Sequence, residues 1–144
     1  MKSSCYFIVF SLVLLLSCKP GPDPIQYGFD GCHYCSMTIV DKQHASEFVT
    51  QKGKVYKFDA SECMINFIKD FDRSEIALYL VNDYNNPGIL VDATQATYLI
   101  SENIPSPMGA YLTAFNSREE ANQVREANEG VLLSWEELGQ RLSN

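Results

Sequence analysis

Histidine is scarce in this sequence, with two in 144 residues, and the one Cys-x-x-Cys pair has neither a second such pair nor a His-x-x-x-His partner. A structural zinc site needs four thiolate or imidazole ligands, so that chemistry lacks its donors. Basic residues are few as well. Eleven Lys and Arg stand against 18 Asp and Glu, a net charge of −7, which argues against nucleic acid as a partner and against lying flat on anionic lipid. No internal run is long and apolar enough for a transmembrane helix. A Ser/His/Asp set, a Gly-rich phosphate loop and an acid–base carboxylate pair are all missing, and the chain is read as a non-enzyme.

What is present begins at the N-terminus. Met1-Lys2 and the apolar run Tyr6 to Leu16 have the charge and length of a secretory signal, and the run is too short to span a bilayer. It ends in Leu15-Leu16-Ser17-Cys18, the pattern of a lipoprotein signal in which Cys18 becomes the acylated N-terminus. Residues 1–17 are therefore expected to be removed and the protein to be exported and anchored by lipid through Cys18, on the periplasmic or outer-surface side of a membrane. Lys2 is the only charge removed, so the remainder is one unit more acidic. Residues 18–26, with Pro20, Pro22 and Pro24, read as an extended spacer of roughly 25 Å at about 3.1 Å per residue, with the folded part, 27–144, starting near Tyr27.

The folded part reads as α+β. Short strands are expected at Thr38 to Val40, Glu47 to Thr50 and Val55 to Phe58, the last two joined by a turn at Gln51 to Lys54. A helix follows, with Asp59 and Glu62 as a capping pair and Met64, Phe67, Ile68 and Phe71 on one face; a strand at Ile76 to Val81 closes the unit. After a polar break from Asn82 to Gly88 the pattern recurs. Strands are expected at Thr97 to Ile100, Ala110 to Phe115 and Val131 to Leu133, with a helix capped at Ser117 and ended by Gly130, and a terminal helix from Trp135 to Leu142. Two strand-strand-helix-strand units, roughly 27–81 and 89–144, imply a pseudo-repeat packed as one compact domain.

Once Cys5 leaves with the signal and Cys18 carries lipid, the thiols left are Cys32, Cys35 and Cys63. An odd number in an oxidising compartment leaves at least one sulfur for chemistry other than a disulfide. The densest cluster is Cys32-His33-Tyr34-Cys35-Ser36-Met37. Copper(I) takes few ligands, prefers soft sulfur and makes use of a thioether, so Cys35 and Met37 are read as ligands on one face of an extended segment. Met108 lies in Pro105-Ser106-Pro107-Met108-Gly109, where the prolines and Gly109 hold it outside any helix; it is the third candidate, on a loop expected to precede an inner strand and fold over the cluster. His33 and Cys32 are secondary candidates. Cys63 is read as a small buried residue and His44 as a solvated turn residue. Two other readings stay open: a thiol-disulfide oxidoreductase using Cys32 and Cys35, and a metal-free structural lipoprotein.

These residues resemble the NosL-type copper lipoproteins, accessory proteins for assembly of nitrous oxide reductase. The resemblance rests on Leu15 to Cys18, on Cys32 to Met37, on Gly53-Lys54-Val55-Tyr56-Lys57-Phe58-Asp59, and on Pro107-Met108-Gly109 before Ala114-Phe115. It implies two related ββαβ-like units, copper(I) held by Cys35, Met37 and Met108, and delivery of the metal to apo nitrous oxide reductase or its copper-assembly machinery. That partner comes from the resemblance alone.

Overall fold

The computed structural model describes residues 19–142, so the signal segment, Cys18 and the last two residues lie outside the described part. Among the described residues no helix is long and apolar enough to cross a membrane. The first sheet is built from β1 (Ser46–Thr50), β2 (Val55–Phe58), β3 (Ile76–Asn82) and β4 (Leu90–Asp92), in the order β2-β1-β3-β4, all antiparallel. The second is built from β5 (Thr97–Ile100), β6 (Leu112–Phe115) and β7 (Val131–Leu133), in the order β6-β5-β7. Helix α1 (Ser61–Phe67) lies between β2 and β3, helix α2 (Arg118–Asn128) between β6 and β7, and helix α3 (Trp135–Leu142) follows β7. Each unit thus runs strand, strand, helix, strand with its first strand in the middle, and the pseudo-repeat is present as topology.

Strand β1 is buried along its length because it is central in the sheet and α1 covers it. Phe48 on β1 stacks on Tyr56 of β2 at 4.7 Å between centroids and meets Phe58, Phe67 and Phe71, an aromatic layer that seats α1 on the sheet. The same helix touches β6, so it is wedged between the two sheets, with Cys63, Met64, Ile65 and Ile68 buried. Trp135 of α3 closes the other side against Tyr79 and Tyr98.

Several expectations are corrected by this packing. Thr38 to Val40 is no strand: it contributes one bridge, Thr38 to Gly31, and Val40 is exposed. Strand β4 is additional, held to β3 within a turn-rich stretch. Helix α1 stops at Phe67, short of Phe71, and its N-cap is Ala60 with no side-chain cap bond. Asp59 and Glu62 both turn inward and are buried, because α1 enters between the sheets where a solvent-facing capping box has no room. Ser117 does cap α2 through the Glu120 amide, and its hydroxyl donates to the Glu120 carboxylate. The loop that carries Met108 leads into β6, which is an edge strand and not an inner one.

His44 is not a solvated turn residue. It is buried, with Nδ1 2.9 Å from Asp41 Oδ2 and Nε2 3.4 Å from Thr113 Oγ1, which ties the entrance of β1 to β6. The N-terminal segment also packs sooner than its prolines suggest. Ile25 is buried, and the buried Lys57 ammonium on β2 donates to Asp23, Asp30 and the Pro24 carbonyl at 2.7 to 2.9 Å.

Candidate metal centre

The segment from Gly31 to Thr38 is a tight turn lying along the free edge of β2. The Cys32 amide donates to the Met37 carbonyl at 2.8 Å and the Ser36 amide to the Cys32 carbonyl at 3.0 Å. His33 fastens it to the sheet: its amide donates to the Lys57 carbonyl at 3.0 Å, and the Lys57 amide donates to His33 Nδ1 at 3.1 Å. The imidazole meets the Tyr56 ring edge-on at 5.1 Å. With Nδ1 engaged, His33 holds the turn in place. Ser36 has φ of 63°, so Cys35-Ser36-Met37 is kinked, and the shared face expected of an extended segment does not arise that way. The Met37 amide donates to the Cys35 sulfur, and Met37 is 53% exposed.

Cys63, in the first turn of α1, completes the site from the other side. The Sγ atoms of Cys32, Cys35 and Cys63 all lie within 4.8 Å of one another, and all three cysteines are free. Metal–thiolate bonds of about 2.3 Å place the sulfurs of a three-coordinate ion about 4 Å apart, so small side-chain rotations let one ion reach all three. Cys63 was invisible to a reading by motif because 28 positions separate it from Cys35. The odd thiol count was the one signal that pointed to it.

The electrostatics of the cluster are asymmetric. The Cys63 thiol donates to Cys32, and amides of Asp59, Cys35 and Tyr34 donate to it as well; together they outweigh burial and hold the Cys32 thiol well below its ordinary range. Cys63 is pushed far up by the same bond and by burial, and Cys35 is pushed up chiefly by burial. Cys32 is therefore the sulfur that ionises most readily, with the Cys63 thiol as its donor. A thiolate held by backbone amides in a turn differs from the helix-start Cys-x-x-Cys of a thioredoxin-like site. Beside it Asp59, raised by burial and by the Cys32 charge, keeps Oδ1 buried with no hydrogen-bond partner. Anionic sulfur with an unpartnered buried carboxylate oxygen nearby suits a cation, and three sulfurs suit a soft one.

Met108 sits in a turn closed by the Gly109 amide donating to the Ser106 carbonyl at 3.0 Å, with Gly109 at φ of 76°. The Ser106 hydroxyl donates to Glu62 Oε1, which anchors this turn to the residue preceding Cys63. Met108 is 41% exposed.

The NosL family model matches residues 28–143. The copper-binding lipoprotein NosL of Stutzerimonas stutzeri is 29% identical over 121 residues, an alignment covering 78% of this chain and 64% of that protein. This chain thus spans less than two thirds of that relative's length. The crystal structure of the copper chaperone NosL from Shewanella denitrificans has the same fold, with a TM-score of 0.72 at 20% identity over 83% of this chain and 96% of that one. Both relatives are named for handling copper and neither for a reaction. With a family match over most of its length, the chain belongs to the NosL family.

Proposed function

We propose that this protein is an exported, lipid-anchored copper(I) carrier that delivers its ion for assembly of nitrous oxide reductase. The observation that carries the metal part is the convergence of three free cysteine sulfurs within 4.8 Å; Met37 lies two residues from Cys35 in the turn, and Met108 two residues from Ser106, whose hydroxyl meets Glu62 next to Cys63. Cys35 is the central ligand, half-buried between the inner thiols and the surface, and Met37 and Met108 are its soft partners on the outer side. A thiolate supplies the charge that offsets the cost of placing a cation in the protein, and a thioether adds softness without further charge. Relatives named as a copper-binding lipoprotein and a copper chaperone support both the ion and its carriage. The anchor rests on the Leu15 to Cys18 pattern, and the nitrous oxide reductase partner on the family resemblance.

A carrier needs exchange more than affinity. With few protein ligands, an acceptor's sulfur or imidazole joins the ion before a donor ligand leaves. The test is anaerobic titration of the reduced protein with copper(I) in competition with a chromogenic chelator. One ion per chain is expected, with affinity lost in Cys35→Ser, and transfer from the loaded protein should restore copper to apo nitrous oxide reductase. Absence of stoichiometric binding by the reduced wild type would refute the carrier; binding without transfer would refute the partner alone.

A further inference from the structure

The site holds more sulfur than one low-coordinate ion uses, and the sulfurs are sorted by depth. Cys32 and Cys63 are 4% and 0% exposed, Cys35 is half-buried, and Met37 and Met108 are 53% and 41% exposed. An ion bonded to both Cys32 and Cys63 is beyond the reach of another protein. An ion bonded to Met37 and Met108 faces outward. Cys35 belongs to both sets, since its Sγ lies with those of Cys32 and Cys63 and its place in the turn is two residues from Met37.

We propose that copper(I) has two alternative positions in this protein that share Cys35: an inner holding position on Cys32, Cys35 and Cys63, and an outer release position on Cys35, Met37 and Met108. This rests on the copper-carrier reading above. The passage between them is ligand exchange at constant oxidation state. The bonds to Cys32 and Cys63 break, those to Met37 and Met108 form, the bond to Cys35 persists, and protons displaced from thiols on inner binding return from water. The inner thiolates bind more tightly, so the outer position sets the rate of release.

Two alternative positions sharing a ligand predict redundancy, which a double-mutant cycle reads directly. The probe is copper(I) in anaerobic competition between the reduced chain and a chromogenic chelator. Cys63→Ser, and independently Cys32→Ser, should weaken binding by about tenfold or more. Met108→Leu should change equilibrium affinity by less than about threefold in the wild-type background while slowing transfer to the chelator. In the Cys63→Ser or Cys32→Ser background the same change should cost about tenfold or more, because the outer position is then the one left. Near-ultraviolet circular dichroism establishes that each variant is folded, and the second cysteine variant keeps the cycle readable if the first is not. Equal effects of Met108→Leu in both backgrounds, or no effect of either cysteine variant, would overturn the two positions while leaving the carrier intact. Failure of the wild type to bind would overturn the carrier reading itself, and this inference with it.

Discussion

Ser106 donates its hydroxyl hydrogen to Glu62 Oε1 at 2.5 Å, a bond between two buried side chains 44 residues apart in the chain. It joins the turn that carries Met108 to the first turn of α1, where Cys63 sits. The other carboxylate oxygen, Oε2, is buried and has no partner among the described residues, so this hydroxyl is the one described group that satisfies the Glu62 side chain.

Ser106→Ala leaves both Glu62 oxygens unsatisfied in the interior. The expected loss is about 1 to 3 kcal/mol of folding stability, measured by urea denaturation. If the bond also positions Met108, release of copper to a chelator slows in the same variant. Unchanged stability would show that water reaches Glu62.

Gly130 follows Glu129 in the reversal from α2 into β7, at φ of 111°. A Cβ there would stand 2.3 Å from the Ile100 carbonyl oxygen, a backbone atom that cannot rotate away. Gly130→Ala should cost at least about 2 kcal/mol, combining an unfavourable backbone conformation with a displaced β5–β7 pairing. Copper(I) stoichiometry in the folded fraction is expected to stay at one, since the cysteine cluster lies in the other unit. Thermal denaturation and chelator competition report the two quantities separately.

Glu47 gives the stability a pH dependence of definite sign. Burial raises its carboxyl from 4.5 to about 7, and the repulsion of Asp23 and Asp30 adds to this against the Asp23 amide and the Lys57 ammonium. The fold therefore favours the protonated acid. Its contribution is present in full below about 4.5 and is lost as pH rises to about 7. Glu47→Gln mimics the protonated form at every pH. The variant should match wild type near pH 4.5 and exceed it by on the order of 3 kcal/mol above pH 7, read from denaturation midpoints across that range. A constant difference across the range would mean that Glu47 does not titrate there.

Local signals made much of the fold legible. Val55 to Phe58, Thr97 to Ile100 and Val131 to Leu133 are strands with the expected bounds, and Ser117 caps α2 as its spacing to Glu120 implies. These elements are specified by neighbours within a few residues. The errors lie where distant packing decides. Asp59 and Glu62 have the spacing of a capping box, but packing buries both carboxylates, Glu62 against Ser106 of the second unit and Asp59 near Val40 and Cys32. Thr38 to Val40 has strand-forming residues, yet the turn spends the Ile39 amide on the Asp30 carbonyl and the Ile39 carbonyl on the Gly28 amide. His44 has nothing in its own sequence to mark it as the link to Thr113, 69 residues away.

The candidate site divides in the same way. Cys35 and its neighbours are conspicuous because four sulfur or imidazole side chains fall within six residues. Cys63 contributes a sulfur only because the Gly31–Thr38 turn is laid on the edge of β2, next to the start of α1. No spacing rule spans that step.

The helix that supplies Cys63 is also the wedge between the two sheets. Anything that ligates Cys63 together with the turn cross-links α1 to the turn and binds the folded form in preference, so mass action makes the melting temperature a gauge of free copper. At a free-ion concentration one hundred times the dissociation constant the gain is about 2.7 kcal/mol. Loaded and empty molecules then differ in lifetime as well as in cargo. A carrier that has given up its ion would be the more readily unfolded and degraded of the two, and the surviving population would be weighted toward molecules that still have copper to give.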